Sequence, residues 1–330
     1  MRIVFMGSSS ASAMCLKGLL RYPELQVVGL VTQPDRPAGR GRELTPCPCR
    51  KYAIERGIKE CITPENVNTP EALAWIRAKK PDAIAVVAFG QFLKKEILEL
   101  PPFGCINCHF SLLPKYRGAA PVTAAVLAGD ELSGVSVIKM GLGMDDGPVL
   151  MSKVEPIYAE DTAETLMEKL AICGGVTLAK TMRMLAAGTL PPPVPQEEAR
   201  VTFAHKIKKT DGLIDWSRLR SYDIERMLRA YVPWPGCYTF LPMRFRRKGN
   251  TGRVAVMGVD FVPSDKIDPA WRGELPGTVL SATKRGPIIR TLDGAVLLVS
   301  LKAEGARAMG GGQFLLGRPL TPLTDMLLNE

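Results

Sequence analysis

The sequence predicts an α/β protein: a Rossmann-like parallel sheet covered by helices, followed by a small, OB-like β-barrel. Three observations predict it. An apolar run near the start ends in a glycine turn and is followed by an Ala/Leu-rich helix and a second apolar run. Later runs are apolar without alternation, as strands buried on both faces are. A proline-rich stretch then gives way to many short β-like runs in roughly a hundred residues, the pattern of a small barrel.

The first run is Ile3–Met6, ending at Gly7; the helix extends to Leu20, and the second run is Leu25–Val31. Ala83–Ala88, Cys105–Cys108 and Gly134–Met140 are further strands of the same sheet. Thr32–Pro48 holds four prolines, two glycines and Arg36, Arg40 and Arg42, which makes it a loop. It is long for a connection inside an α/β domain, and such loops are often functional. A helix is expected to start near Glu160, capped by Asp161 or Thr162 with Glu164 as capping partner, and it and a following helix run to about Ala187. Gly188-Thr-Leu-Pro-Pro-Pro-Val-Pro breaks that pattern and reads as a stiff linker. The expected divisions are therefore a first domain over 1–189, a linker over 190–209 and a second domain over 210–330. The second opens with a helix over Ser221–Tyr231 and continues with strands over Arg253–Val262, Gly277–Leu280, Ile288–Thr291 and Ala295–Leu301.

With 330 residues, 46% of them hydrophobic and 23% charged, the chain has the balance of an ordinary soluble protein with a full core. Its longest apolar run, Ala83–Gly90, is too short to span a bilayer, and the N-terminus reads as a strand rather than a signal peptide, so a cytoplasmic protein without a membrane role is expected. The charge is uneven. Residues 1–200 carry 23 Lys and Arg against 21 Asp and Glu, a net of +2, whereas residues 201–330 carry 20 against 12, a net of +8. A basic C-terminal part points to a polyanion such as nucleic acid. Eight cysteines include one C-x-x-C, Cys105 and Cys108, but no second pair at zinc spacing and only two histidines. Free thiols and no metal are expected.

Asn107 and His109 stand two apart at the end of an apolar strand, which puts both side chains on one face. Open parallel sheets bind ligands at the carboxyl ends of their strands. An amide donor and an imidazole would share one crevice there; a polar strand end with a satisfied histidine is the plainer reading of the same two residues. Met140-Gly-Leu-Gly-Met-Asp145-Asp146-Gly is a glycine-rich loop that presents a carboxylate, or a plain turn with solvated aspartates.

The Asn-x-His followed by Ser111-Leu-Leu-Pro114 resembles the 10-formyltetrahydrofolate-dependent formyltransferase superfamily, and the likeness runs almost end to end. Longer strings are similar to the members that act on methionyl-tRNA: Thr32-Gln-Pro-Asp-Arg-Pro-Ala-Gly-Arg-Gly41, Leu113-Pro-Lys-Tyr-Arg-Gly-Ala-Ala-Pro121, Asp211-Gly-Leu-Ile-Asp-Trp216 and Pro233-Trp-Pro-Gly236. The resemblance implies that Asn107, His109 and Asp145 are catalytic, Asp145 occupying the aspartate of the family's Leu-Asp-Thr-Gly string. It implies folate contacts from Ser111, Leu112, Leu113 and Pro114, and a pterin-pocket wall from Ala88, Phe89, Gly90, Gln91, Phe92 and Leu93. It implies that the loop from Arg36 through Arg40 to Arg42 approaches the acceptor end of a tRNA. The charge pattern adds Lys206, Lys208, Lys209 and Arg244, Arg246, Arg247 and Lys248 as candidate tRNA contacts, the last group with an aromatic that could stack.

The family pattern is departed from at three places. Gly7-Ser-Ser-Ser-Ala-Ser replaces the usual first turn, Phe110 replaces a small residue after the histidine, and Asp146 replaces a threonine after the aspartate. The implied activity is transfer of a formyl group from 10-formyltetrahydrofolate to methionyl-initiator tRNA by a monomer. A small amine as acceptor, either an amino sugar nucleotide or glycinamide ribonucleotide, fits the arginine loop and the basic C-terminal part less well. An RNA-binding protein with an inactive transferase domain would not need all three site residues. A dehydrogenase is disfavoured because the first turn lacks G-x-G-x-x-G.

Overall fold

The computed structural model describes residues 1–38, 43–245, 251–263 and 266–329. Arg40, Arg42, Arg246, Arg247 and Lys248 lie outside the described residues. The chain divides into two compact units, one of residues 1–125, 130–159 and 165–206, the other of 126–129, 160–164 and 207–330.

The first unit begins with β1 (Arg2–Gly7), α1 (Ser10–Leu19) and β2 (Gln26–Val31). The Ser-rich turn that departs from the family pattern is a capping box. Ser9 Oγ accepts from Ser12 N, and Ser12 Oγ accepts from Ser9 N, each at 3.1 Å. Gly7 has no room for a side chain, since a Cβ there would lie 2.7 Å from both Ser12 Cβ and Val87 O. A short antiparallel ladder follows, β3 (Arg36–Ala38) with β4 (Glu43–Thr45), inside the stretch read as a loop. Next come α2 (Pro48–Glu55), β5 (Cys61–Ile62), α3 (Pro70–Ala78), β6 (Ala83–Val87), α4 (Lys95–Leu98), β7 (Cys105–His109), β8 (Arg117–Gly118), α5 (Pro121–Ala128), β9 (Leu132–Lys139), β10 (Val149–Pro156) and α6 (Ala163–Ala186).

The main sheet runs β10-β9-β7-β6-β1-β2-β5. β5, β2, β1, β6 and β7 are parallel; at the other side β9 pairs antiparallel with β7, and β10 pairs antiparallel with β9. Gly134–Met140 is thus a strand of this sheet, but not a parallel one. Its continuous apolar run reports burial on both faces, and burial says nothing of strand direction. Because β9 and β10 form a hairpin, the glycine-rich loop between them starts beside β7, with Met140 N donating to Cys105 O at 2.8 Å.

α6 is one helix of 24 residues where two were expected. Gly174 and Gly175 sit in its middle, where a helix break reads naturally from the sequence, yet they serve a close crossing. A Cβ on Gly18 of α1 would lie 2.4 Å from Gly175 O, and one on Gly175 would lie 2.9 Å from Met14 O. The two backbones touch, so only glycine fits.

The proline-rich segment is not a free spacer. Val149 and Val194 exchange two backbone hydrogen bonds of 2.8 Å. Further on, β11 (Phe203–Ala204) pairs in parallel with β8. Residues 194–204 therefore lie along the first unit, which extends to Lys206.

The second unit holds α7 (Ser221–Ala230), β12 (Cys237–Phe240), β13 (Arg253–Phe261), β14 (Val279–Ala282), β15 (Pro287–Arg290), β16 (Ala295–Ala303), β17 (Met309–Gly310) and α8 (Gly311–Gly317). Its antiparallel sheet runs β12-β13-β16-β15-β14, with β17 against β16. The C-terminal segment closes the sheet into a barrel. Phe240 and Leu328 exchange bonds of 3.1 and 2.8 Å, and on the other side Val279 N donates to Asp325 O at 2.9 Å. Trp216 and Ile224 are buried in the barrel core among Val254, Val256, Val279 and Leu298. The Trp216 indole N–H is satisfied by Thr239 Oγ1 at 2.9 Å. Among the described residues no helix is long and apolar enough to cross a membrane.

Candidate active site

Period-2 geometry places Asn107 and His109 side by side on one face of β7, and both are largely buried, at 9% and 6% exposure. His109 Nε2 lies 2.8 Å from Tyr116 O. A carbonyl can only accept, so Nε2 carries the hydrogen, and Nδ1 is the nitrogen free to gain or lose a proton. Nδ1 faces Asp145 Oδ2 at 3.5 Å.

The Asp145 carboxylate joins the group. Oδ1 accepts from Asn107 Nδ2 at 3.2 Å, and Oδ2 accepts from the backbone N–H of Gly118 at 2.8 Å. Asp145 itself is in the left-handed region, with φ of 51°. Such a conformation costs a non-glycine residue about 1–2 kcal/mol and persists where the surroundings fix it. Its neighbour Asp146 faces back into its own loop. Gly143 N donates to Asp146 Oδ2 at 3.1 Å, and a Cβ on Gly141 would lie 2.4 Å from Asp146 Oδ1. Asp146, where the family has threonine, therefore ties the glycine-rich loop together.

The trio lies in a cavity of about 430 Å³, within the range of small-molecule sites. Phe89, Phe110, Met140 and Met167 give it apolar walls, and Gly118, Ala119 and Pro121 complete one side. Ala88, with φ of 42°, and Gly90, with φ of 81°, turn the chain sharply along the rim. Phe110 is 5% exposed, and its ring needs the glycine at 174, where a Cβ would lie 3.2 Å away.

Of the residues implied for folate contact, Ala88, Phe89, Gly90 and Gln91 line this cavity. The Gln91 side chain, however, is tied elsewhere, accepting from Val67 N at 2.7 Å and donating to Pro64 O at 2.9 Å. Leu93 and Phe92 do not line this cavity. Leu93 is 2% exposed and belongs to the core with Val4, Met6 and Ile84, and Phe92 stands outside the cavity at 64% exposure. The alternation of a strand is lost after the turn at Gly90, and Gln91 is the last residue of this run on the cavity. Ser111, Leu112, Leu113 and Pro114 do not line the cavity either. They build the turn behind it: Ser111 Oγ donates to Lys115 O at 2.5 Å, and Leu113 N donates to Ser136 Oγ at 3.0 Å. That turn presents the Tyr116 carbonyl to His109. The Tyr116 hydroxyl, which donates to Asp130 Oδ2 at 2.9 Å, is pushed above the usual tyrosine range by burial and by the Asp130 carboxylate.

Among the basic candidates, Arg36 is exposed on β3 and pairs with exposed Glu65 at 3.4 Å, a contact of little energetic weight. Lys206, Lys208 and Lys209 are exposed. Arg244 is exposed as well, but it is also tied within the barrel. Its guanidinium pairs with the buried Asp325 carboxylate and donates to Pro319 O at 2.9 Å. Asp325 is 3% exposed, and a buried carboxylate needs such a partner, so Arg244 holds the C-terminal segment of the barrel. Among the described residues no cluster of three or more His, Cys, Asp or Glu is arranged to hold a metal ion.

Gly118 and Gln196 are the contributors that sequence reasoning passed over. A lone glycine in Tyr-Arg-Gly-Ala and a glutamine in a proline-rich segment carry no signal of their own. The Arg-Gly pair gains meaning only once β11 is seen beside it.

The cleft at β7 thus gathers an amide, an imidazole and a carboxylate, groups that can donate hydrogen bonds and move protons. The chain belongs to the formyl transferase family: residues 1–181 match that family and residues 206–319 match its C-terminal domain. The methionyl-tRNA formyltransferase of Pseudomonas entomophila is 40% identical over 309 residues, covering 94% of this chain and 93% of that protein. That of Geotalea daltonii is 38% identical over 317 residues, 96% of this chain and 95% of that protein. Among solved structures, the N-formyltransferase from Helicobacter canadensis in complex with folinic acid and dTDP-3-aminofucose is similar with a TM-score of 0.59 and 15% identity, over 91% of this chain and 98% of that one. HypX from Aquifex aeolicus in complex with tetrahydrofolic acid gives a TM-score of 0.58 at 17% identity, over 96% of this chain but only 47% of HypX. At these identities the two structures speak to the fold alone.

Proposed function

We propose that the protein transfers a formyl group from 10-formyltetrahydrofolate to the free amino group of methionyl-initiator tRNA. The observation that carries the site reading is the convergence of Asn107, His109 and Asp145 on one cavity. The full-length similarity to methionyl-tRNA formyltransferases supports the acceptor, and the net +8 of residues 201–330 suits a polyanion. The cavity fits a folate: apolar walls suit a flat heterocycle, and the sharp turn at Ala88–Gly90 brings backbone to the rim where a pterin edge can be read.

In this reading the donor supplies the formyl group, and this chain's residues manage charge and protons. As the amine attacks the formyl carbon, the formyl oxygen gains negative charge. Asn107 has a second amide N–H to offer it, worth a few kcal/mol in a preorganised site (about 3–4 by analogy with oxyanion-hole donors). Asp145 accepts the amine proton, directly or through water, and His109 shares that proton through Nδ1. The carbon–nitrogen bond to the folate then breaks, and the proton leaves with the folate nitrogen. One bond forms, one breaks and one proton moves, so no oxidant or reductant is involved.

The reading is tested by supplying 10-formyltetrahydrofolate with methionyl-tRNA, charged on initiator or elongator tRNA, and in parallel with an amino sugar nucleotide. Formylmethionine on the initiator tRNA, at far higher kcat/KM than any other acceptor, is expected. Equal or better transfer to the sugar amine would refute the acceptor.

A further inference from the structure

We infer that Gln196 is a positioning residue that holds the backbone of Asp145 in its left-handed conformation from within the proline-rich segment. The inference rests on the reading of Asp145 as the proton acceptor. Gln196 Nε2 donates to Asp145 O and to Gly147 O, both at 2.7 Å. One amide thus uses both hydrogens to bracket Asp146 from either side. Its oxygen is occupied in turn: Arg117 Nε donates to Gln196 Oε1 at 3.1 Å. Arg117 has only donors, so the orientation of the Gln196 amide is fixed, with its nitrogen toward the two carbonyls. Arg117 is 5% exposed and is held by Glu198, at 2.8 Å between its NH2 group and Oε1.

The arrangement closes a ring of restraints on one residue. Asn107 and Gly118 fix the two carboxylate oxygens of Asp145, and Gln196 fixes its carbonyl. Arg117 and Gly118 are consecutive in β8, so the strand that supports Gln196 also supplies the N–H on Asp145 Oδ2. A left-handed aspartate in a glycine-rich loop needs such support, because relaxing φ would swing the carboxylate away from the imidazole. The charged guanidinium on Oε1 strengthens the amide as a donor.

Gln196→Glu is the discriminating substitution. It keeps the shape and the Arg117 partner but replaces the NH2 group by an oxygen that faces two carbonyls. At pH 8 the single-turnover formylation rate at saturating substrates is expected to fall about 100-fold, the scale of a 1 Å misplacement, with KM for the folate within about threefold. As the pH is lowered toward 5, the introduced carboxyl takes up a proton and regains one donor, so the ratio of variant to parent rate rises. Gln196→Ala should show a similar loss with a pH-independent ratio. Near-parent rates for both variants, or a loss carried wholly by KM, would overturn the inference. Should Gln196→Ala fail to fold, Gln196→Glu alone decides. Asp145→Ala run alongside separates the two levels: if it stays active, the carboxylate reading falls and the inference with it; if it is inactive while Gln196→Glu is normal, only the inference falls.

Discussion

The backbone N–H of Gly118 donates to Asp145 Oδ2 at 2.8 Å. Gly118 can do so because its φ is +116°, a conformation an L residue rarely adopts, and because a Cβ there would lie 2.7 Å from Ala204 O. β11 thus packs against the glycine so closely that the donor's direction is fixed.

Gly118→Ala is expected to strain this turn by about 1–3 kcal/mol and to push β8 away from β11. The formylation rate should fall by about 100-fold, measured as kcat, with a lower melting temperature recorded on the same sample. An alanine variant with parent kcat would mean that the glycine conformation at 118 is not what places the Asp145 carboxylate.

Asp145→Asn keeps the size of the side chain but removes its charge and its capacity to accept a proton. A loss of about 10²–10⁴ in kcat is expected at every pH, with folate affinity measured by fluorescence nearly unchanged. Preserved kcat would remove Asp145 from the chemistry.

The helix crossing makes a prediction about stability alone. Gly18→Ala adds a methyl group 2.4 Å from Gly175 O, so α1 and α6 must move apart. Overpacking of this kind costs about 1–3 kcal/mol, read from the denaturant midpoint. The site lies at β7 rather than in this crossing, so kcat at low temperature should change far less than stability.

Burial sets an alkaline limit on the barrel. It pushes the Cys237 thiol and the Tyr231 hydroxyl each up to about 12. Both acids are neutral when folded and ionise nearer their ordinary values, about 8.5 and 10, when unfolded. Their contribution is therefore complete below about pH 8.5 and is lost as pH rises toward 12. Thermal midpoints should be flat from pH 7 to 8.5 and fall beyond it. Cys237→Ala should lower the midpoint at pH 7 yet flatten its decline above pH 9; an unchanged slope would exclude the thiol as a cause.

For tRNA, affinity should drop steeply with salt. Replacing exposed Lys208 and Lys209 by alanine should reduce the slope of log affinity against log salt by about 1–2. An unaltered slope would take both lysines out of the interface.

The parallel core of the sheet was legible because its strands are largely apolar and the first ends in a glycine turn. Asn107 and His109 were legible as a pair because the period of a strand places them together. Asp145 could be brought to them only by resemblance, since its contact depends on β9 and β10 forming a hairpin and on a left-handed φ that spacing does not reveal. Gln196 was illegible for a different reason. Clustered prolines disfavour regular structure, and a segment without regular structure reads as a spacer even when it is pinned along its length.

Closure of the barrel by residues 325–328 has a consequence for handling the protein. β14 finds its outer hydrogen-bond partners in that last stretch, β12 finds one there at Phe240 and another at Ile214, and Arg244 anchors the stretch through Asp325. A version trimmed before Pro322 would leave the outer margin of β14 and the Phe240 end of β12 unpaired, and would leave Arg244 without its carboxylate partner. Such margins are templates for intermolecular pairing, so the trimmed protein should self-associate as concentration rises, even with the cleft at β7 untouched.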